Sequence, residues 1–383
     1  MQSKPLTKTA VIKTAVFSLL IIIITYYVTK LVVPKFLLEN SSWPSTSTFT
    51  QFYEMEENTV DVLFVGSSCM STAGIPQYLY DKNGIVSYNL ASPEQTLITS
   101  YYWLEEALRF QSPSVVFLDN QMLFTFYEDE PLNFKEPGQR KDFDYMKWSK
   151  VKMTAVHDIC SLDSSQSELS YYLPIVRYHD RWKELGKLDF TYTPSKLYGF
   201  APLYGSLHEE GEPDFVPLEN TNVAAKDFSN STNITNVSIS TTDETASKTV
   251  TATATSDETI LPLMQEYMDK IVALCKEKNI RLVLVTTVAP IQTQARHDLT
   301  AQYAAANNLT YLDFNTKELY EATQMDYFTD CYDTHHMTIS GGEKISDYLA
   351  DFVLSEGLAT PKTSSDFEST KQYYQDFLTD LYQ

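Results

Sequence analysis

The chain has no Gly-x-Gly-x-x-Gly turn, no Cys-x-x-Cys pair and no Cys/His grouping at metal-ligand spacing. A dinucleotide fingerprint and a structural zinc site are therefore not expected. Cysteine is scarce: Cys69, Cys160, Cys275 and Cys331 are scattered and make no disulfide framework, and Cys275 falls on a helix's apolar stripe, a packing position. Cationic residues are outnumbered, 29 Lys and Arg against 50 Asp and Glu. The resulting formal charge of −21 would repel phosphate backbones and argues against nucleic acid as a partner. No internal repeat is visible. What the chain does have is length and apolar content: 383 residues, 43% of them apolar, allow a sizeable core in one large domain or two ordinary ones. The 26 tyrosines and 20 phenylalanines are many; surface aromatics mark glycan or protein contact, although core packing accounts for most of them.

One long apolar run is present. Ala15 to Val33 reads AVFSLLIIIITYYVTKLVV, nineteen residues with the single charge Lys30 near the far end, where it can snorkel. About twenty apolar residues span a bilayer as a helix. Lys4, Lys8 and Lys13 precede the run without an acid, which keeps the N-terminus (1–14) in the cytoplasm, and Tyr26 and Tyr27 resemble an interfacial belt. The expectation is a single-pass signal anchor over 15–33 in the cell membrane, a stalk over 34–58 and an extracytoplasmic remainder. A cleaved signal peptide is the alternative.

Beyond the stalk, Val60–Val65 is a continuous apolar run bounded by glycine, as a strand covered on both faces should read. Ile75–Tyr80 continues a short helix, and Ile85–Leu90 and Ser114–Leu118 read as further strands. The intervening "SPEQ" predicts Ser92 as N-cap, Pro93 at the first helical position and Gln95 closing a capping box, with Leu97, Tyr101, Leu104 and Leu108 at helical spacing. The pattern lapses between about 121 and 258 and resumes with Met264, Met268, Ile271 and Cys275 on one stripe. Strand 281–288, helix 293–307 and strand 310–314 follow, and then a helix with a predicted Ser340/Glu343 capping box. This alternation predicts an α/β fold, a doubly wound parallel sheet of about five strands over 59–120 and 259–356, with ligands at the carboxyl ends of the strands. Residues 121–258 are then a large insertion after the third strand, a lid or subdomain. Its stretch 219–257 is too rich in Ser, Thr, Asn and Asp to order itself alone. Sequons fall at Asn40, Asn230, Asn233, Asn236 and Asn308. Residues 357–383 form a tail with a short amphipathic helix.

Two stretches carry candidate chemistry. "DVLFVGSSCM" (61–70) ends a strand on Gly66-Ser67-Ser68, so that either a serine caps a helix or one is a nucleophile at the top of the sheet. About 265 residues on, "FTDCYDTHHMTISGGEKIS" places Asp333 three residues before His336. That spacing lets a carboxylate hold Nδ1 of an imidazole whose Nε2 takes a proton from a serine. A turn with an Asx cap and two surface histidines is the plain alternative, but only six histidines exist and two are here.

"VDVLFVGSSCMS" resembles the first block of SGNH/GDSL-type hydrolases, with Gly-Asp-Ser written Gly66-Ser67-Ser68, and "DTHHMTISGG" resembles their last block. The anchor, the Gly-Ser-Ser variant and the insertion are most similar to a membrane-anchored branch that includes the D-alanyl-lipoteichoic acid transfer protein and bacterial polysaccharide O-acetylation proteins. The resemblance covers about 60–125 and 260–355. It implies Ser68 as nucleophile, His336 as base and Asp333 as its orienting acid, with His335 a rival base by one position. It also implies an oxyanion hole from the Ser68 N–H, a backbone N–H in "YNLASPEQ", where Ala91 and Ser92 stand in place of the usual glycine and Ser92 is the candidate, and the Asn120 side chain in "VVFLDNQM". Both later blocks depart from the family pattern, and each missing oxyanion donor costs about a hundred- to a thousandfold in rate. Cys69 and Cys331 neighbour the implied catalytic residues, as a disulfide staple or as packing. Arg177, His179, Arg181 and Trp182 are candidate substrate contacts, or braces for the inserted region.

The implied function is a serine acyltransferase or esterase that moves an O-acyl group, expected to be acetyl, to or from a cell-surface glycopolymer. It needs no metal or soluble cofactor and works beside a multipass membrane O-acyltransferase. The alternative is a non-catalytic binding or assembly partner of such an acyltransferase on the same fold.

Overall fold

The computed structural model describes residues 7–35, 45–124, 136–219 and 258–381. It falls into two compact units: one holds the described residues within 1–36 and 148–193, the other those within 37–147 and 194–383.

The larger unit is α/β. Its five strands are β1 (Val62–Val65), β2 (Ser87–Asn89), β3 (Val115–Asp119), β4 (Arg281–Thr286) and β5 (Thr310–Asp313), all parallel, in the order β2-β1-β3-β4-β5. Val62 stands opposite both Ser87 and Val115, Val115 opposite Arg281, and Val283 opposite Thr310. β1, β2 and β3 are buried along their whole length, and β4 everywhere except Arg281. Strands with neither face in water have no reason to alternate, which is why they read as unbroken apolar runs. Phe64 stacks on Phe117 across β1 and β3 with centroids 5.5 Å apart, and Leu349 and Val353 of the helix Ile339–Ser355 belong to the same core cluster.

Several local expectations are corrected. Ser92 caps nothing: Glu94 adopts φ +58°, which breaks the helical path, and the helix Leu97–Ala107 starts after Thr96, whose hydroxyl accepts the Thr99 N–H. Thr338, not Ser340, caps Ile339–Ser355 by accepting from the Gly341 N–H; Ser340 lies inside that helix and donates to Asp330 at 2.7 Å. Part of the expected stalk is core. The helix Ser45–Phe52 buries Phe49 and Phe52, and Phe49 stacks on Trp103 at 4.3 Å. The C-terminal helix, Ser365–Leu381, has seventeen residues and buries Phe367 against Tyr198 at a centroid distance of 4.0 Å. The expected stretch 121–258 divides: 136–147 and 194–219 belong to the α/β unit, and 148–193 to the other. Residues 220–257 and the sequons at Asn40, Asn230, Asn233 and Asn236 lie outside the described residues.

The smaller unit is built on the helix Lys8–Val32, capped at its start by Thr7. No residue of its most apolar 18-residue window is buried, and among the described residues it is the one helix long and apolar enough to cross a membrane. At 1.5 Å per residue it extends about 37 Å, against about 30 Å of bilayer hydrocarbon. The short helical segments Ile175–Tyr178, His179–Lys183 and Lys187–Thr191 lie against it.

Candidate active site

The site is assembled from the end of β1 and the loop before the helix Ile339–Ser355. Gly66 follows β1 at φ +143°, and the space a Cβ would fill is already taken by Asp119 at the end of β3. Only glycine turns the chain there without strain. Both readings of the two hydroxyls then hold, one for each serine. Ser67 is the N-cap of the helix Ser68–Ala73, accepting from the Cys69 N–H, and its own N–H donates to Asp119 Oδ2 at 3.0 Å. The Ser67 hydroxyl donates to the same oxygen. Ser68 is left pointing elsewhere; it is the only residue from Val62 to Gln77 that is not buried.

The second half is a tight loop. Cys331 pairs antiparallel with Met337, and the Tyr332 N–H donates to the His336 carbonyl at 2.8 Å. Asp333 Oδ1 accepts the backbone N–H groups of His335 and His336, each at 3.0 Å, so the carboxylate organises its own turn. The loop is brought to Ser68 by helix packing. Gly342 of Ile339–Ser355 sits so close to the Ser68–Ala73 helix that a Cβ would lie 2.7 Å from the Thr72 carbonyl oxygen. The Met337 N–H donates to the Thr72 hydroxyl at 3.1 Å.

The structure thus brings Ser68, His336 and Asp333 together. Nε2 of His336 is 2.8 Å from Ser68 Oγ, and Nδ1 is 2.8 Å and 3.0 Å from the two Asp333 oxygens. A carboxylate only accepts, so Nδ1 carries the hydrogen and Nε2 presents its lone pair to the serine hydroxyl. Burial pushes the Asp333 carboxyl up, but the hydrogen bond and charge of His336, together with His335, outweigh it and hold the group well below the usual carboxylate range. Asp333 therefore stays ionised. Burial, reinforced by the charge of His336, pushes His335 down to about 4. His335 turns its Nδ1 to the Thr334 hydroxyl at 3.0 Å. Ligand-type atoms of Asp333, His335 and His336 lie within 4.8 Å of one another, as a cation would require. In the present arrangement the Asp333 oxygens and His336 Nε2 already face hydrogen-bond donors of the protein.

The expected oxyanion donors are committed elsewhere. The Ser92 N–H donates to the Gly66 carbonyl at 3.1 Å, and its hydroxyl to Asp142 at 2.8 Å. Asn120 is wholly buried: its amide nitrogen donates to Thr300 at 3.2 Å, and its oxygen accepts from Thr286 at 2.8 Å. Two residues that the sequence did not single out bond to the start of the Ser68–Ala73 helix. Asp119 holds Ser67, and Gln121 accepts from the Cys69 thiol at 2.8 Å while its Nε2 is buried without a hydrogen-bond partner. An acid closing the apolar run VVFLD was the available signal for Asp119. All four cysteines are free, so Cys69 and Cys331 are packing residues and no staple joins them; burial pushes both thiols up.

His179, Arg181 and Trp182 belong to the smaller unit. Arg181 is a brace: it donates to the Val32 carbonyl at 3.0 Å and pairs with Asp189 at 2.7 Å. His179 Nδ1 lies 3.1 Å from the Val176 carbonyl, and Trp182 is 64% exposed. Comparison with known proteins returns no matching family model for this chain and no matching curated protein.

Proposed function

We propose that the chain is a membrane-anchored serine acyltransferase or esterase of the SGNH type. It moves an O-acyl group, acetyl by expectation, to or from a cell-surface glycopolymer. The observation that carries this reading is the hydrogen-bonded series Ser68–His336–Asp333 beyond the carboxyl end of β1, where ligands sit in parallel sheets. The strand order is that of doubly wound flavodoxin-like sheets and supports the fold assignment, with 121–258 as the insertion.

On this reading Ser68 Oγ attacks the acyl carbonyl while His336 Nε2 takes its proton. Asp333 keeps the Nδ1–H tautomer and stabilises the imidazolium that forms. The imidazolium then protonates the departing alcohol, leaving an acyl-Ser68 ester. A sugar hydroxyl or water, deprotonated by the same Nε2, attacks that ester and restores Ser68. The Ser68 backbone N–H, in the first turn of its helix where amides have no intrahelical acceptor, serves the oxyanion. The helix Lys8–Val32 supports the anchor, with Lys8 and Lys13 holding its start in the cytoplasm and the α/β unit outside. A multipass membrane O-acyltransferase would supply the acyl group.

A serine-directed fluorophosphonate probe on the full-length protein is the test. Wild type should label, Ser68→Ala should not, and His336→Ala should label at least about a hundredfold more slowly. Absence of labelling in folded wild type would sink the enzyme. The second reading, a non-catalytic assembly partner on the same fold, is favoured by one observation: the Ser92 and Asn120 donors are spent inside the protein.

A further inference from the structure

The helix Lys8–Val32 buries no side chain until its end, where Val32 and the following Val33 are buried. What covers them is the collar of segments Ile175–Tyr178, His179–Lys183 and Lys187–Thr191. Arg181 fastens that collar by donating to the Val32 carbonyl, at the end of the helix where unpaired carbonyls and the dipole favour a cation. Yet the collar does not bury its own large apolar side chains. Trp182 is 64% and Phe190 67% exposed, Val176 is exposed, and so are Leu169 and Leu173 on the chain that leads into the collar. Scattered single apolar residues need no explanation, but five within twenty-two residues, on segments packed against the end of a bilayer-length helix and on the chain that leads into them, do. Charge points the same way. Residues 148–193 carry six Lys and Arg against six Asp and Glu, whereas the chain outside 1–36 and 148–193 carries eighteen against forty-four.

We propose that the collar 168–191 is a second membrane-contact surface, seated in the headgroup region of the outer face of the bilayer that the Lys8–Val32 helix crosses. Trp182, Phe190 and the neighbouring leucines enter the interface, where an aromatic ring has an apolar body to bury and a polar edge to hydrate. Arg177, Lys183 and Lys187 on the same elements meet anionic phosphates. The occupant is lipid rather than a protein partner, because the surface is continuous with the end of the one helix suited to lipid among the described residues. Fastened to that end, it cannot be far from the headgroups once the helix is inserted. The proposal therefore rests on that helix spanning the membrane, and is independent of the chemistry at Ser68.

The test uses the full chain reconstituted alone into vesicles of phosphatidylcholine and phosphatidylglycerol. Trp43 and Trp148 are replaced by Phe, leaving Trp182 and the wholly buried Trp103; the companion with Trp182→Phe supplies the Trp103 background, and circular dichroism checks that both fold. The emission lost with Trp182→Phe should fall about twofold in lipids brominated near the top of the acyl chain and be shielded from aqueous iodide. If iodide quenches it and bromolipid does not, the collar stands in water and its apolar side chains belong to a protein partner, which overturns the proposal. Release of the wild-type chain from vesicles by alkaline carbonate would overturn the spanning helix and the collar together, whatever the Ser68 labelling.

Discussion

The two units treat the same side chains in opposite ways. Trp103 of the α/β unit is fully buried, stacked on Phe49 behind the sheet, whereas Trp182 of the smaller unit faces outward. The acids separate as well, since forty-four of the fifty lie outside the smaller unit. A unit that hides most of its aromatics and carries most of the acids is built for water. One that exposes aromatics and leucines beside lysines is built for a less polar surrounding. The proposed chemistry would belong with the first, because a proton relay needs a rigid scaffold. The proposed attachment would belong with the second.

That division is sharpened most by damage to the site. Asp333→Asn should lower kcat/KM on a small acyl ester about a thousandfold, because the amide can offer Nδ1 the wrong tautomer, while vesicle attachment is unchanged. A drop of less than tenfold would remove Asp333 from the mechanism. Gly66→Ala comes next. Its Cβ must displace Asp119 at a φ that alanine avoids, so the α/β unit should lose about 3 kcal/mol in urea unfolding. Unaltered stability would mean that the β1 turn is looser than described.

The pH response is of similar size. His335 titrates at about 4 in the fold against 6.5 in the unfolded chain. Its stabilising contribution is therefore fully present above pH 6.5 and is lost as pH falls toward 4, up to about 3 kcal/mol. His335→Gln should flatten stability across that window, and equal slopes for variant and wild type would reject the assignment. The smallest effect falls on the other side of the comparison. Arg181→Met removes the bonds to Val32 and Asp189 and should cost the collar about 1 kcal/mol. Proteolysis should quicken within 168–191 while the urea midpoint of the α/β unit stays put. A shift of that midpoint would couple units that the prediction keeps separate.

Much of the scaffold was legible because it is local. Val62–Val65, Val115–Asp119 and Arg281–Thr286 announce themselves as apolar runs closed by glycine, acid or polar residues, and Asp333 reaches His336 within one turn of chain. The helix starts were misread at Ser92 and Ser340 for a local reason too. Capping grammar names candidate oxygens but not backbone angles, and the positive φ at Glu94 is not written in any residue type. Asn120 was misjudged because its amide is satisfied by Thr286 and Thr300, residues more than 160 positions away.

By itself the sequence determined the parallel α/β alternation, the bilayer-length N-terminal helix and the carboxylate–imidazole spacing, since each depends on neighbours within a few residues. Only the tertiary structure decided that Asp119 crosses from β3 to hold Ser67, that Gly342 lets two helices close enough to set His336 against Ser68, and that 148–193 joins the N-terminal helix rather than the sheet. Those are contacts between distant parts of the chain, won by shape and by the need to satisfy buried polar groups. No pattern of residue types along a single segment encodes them.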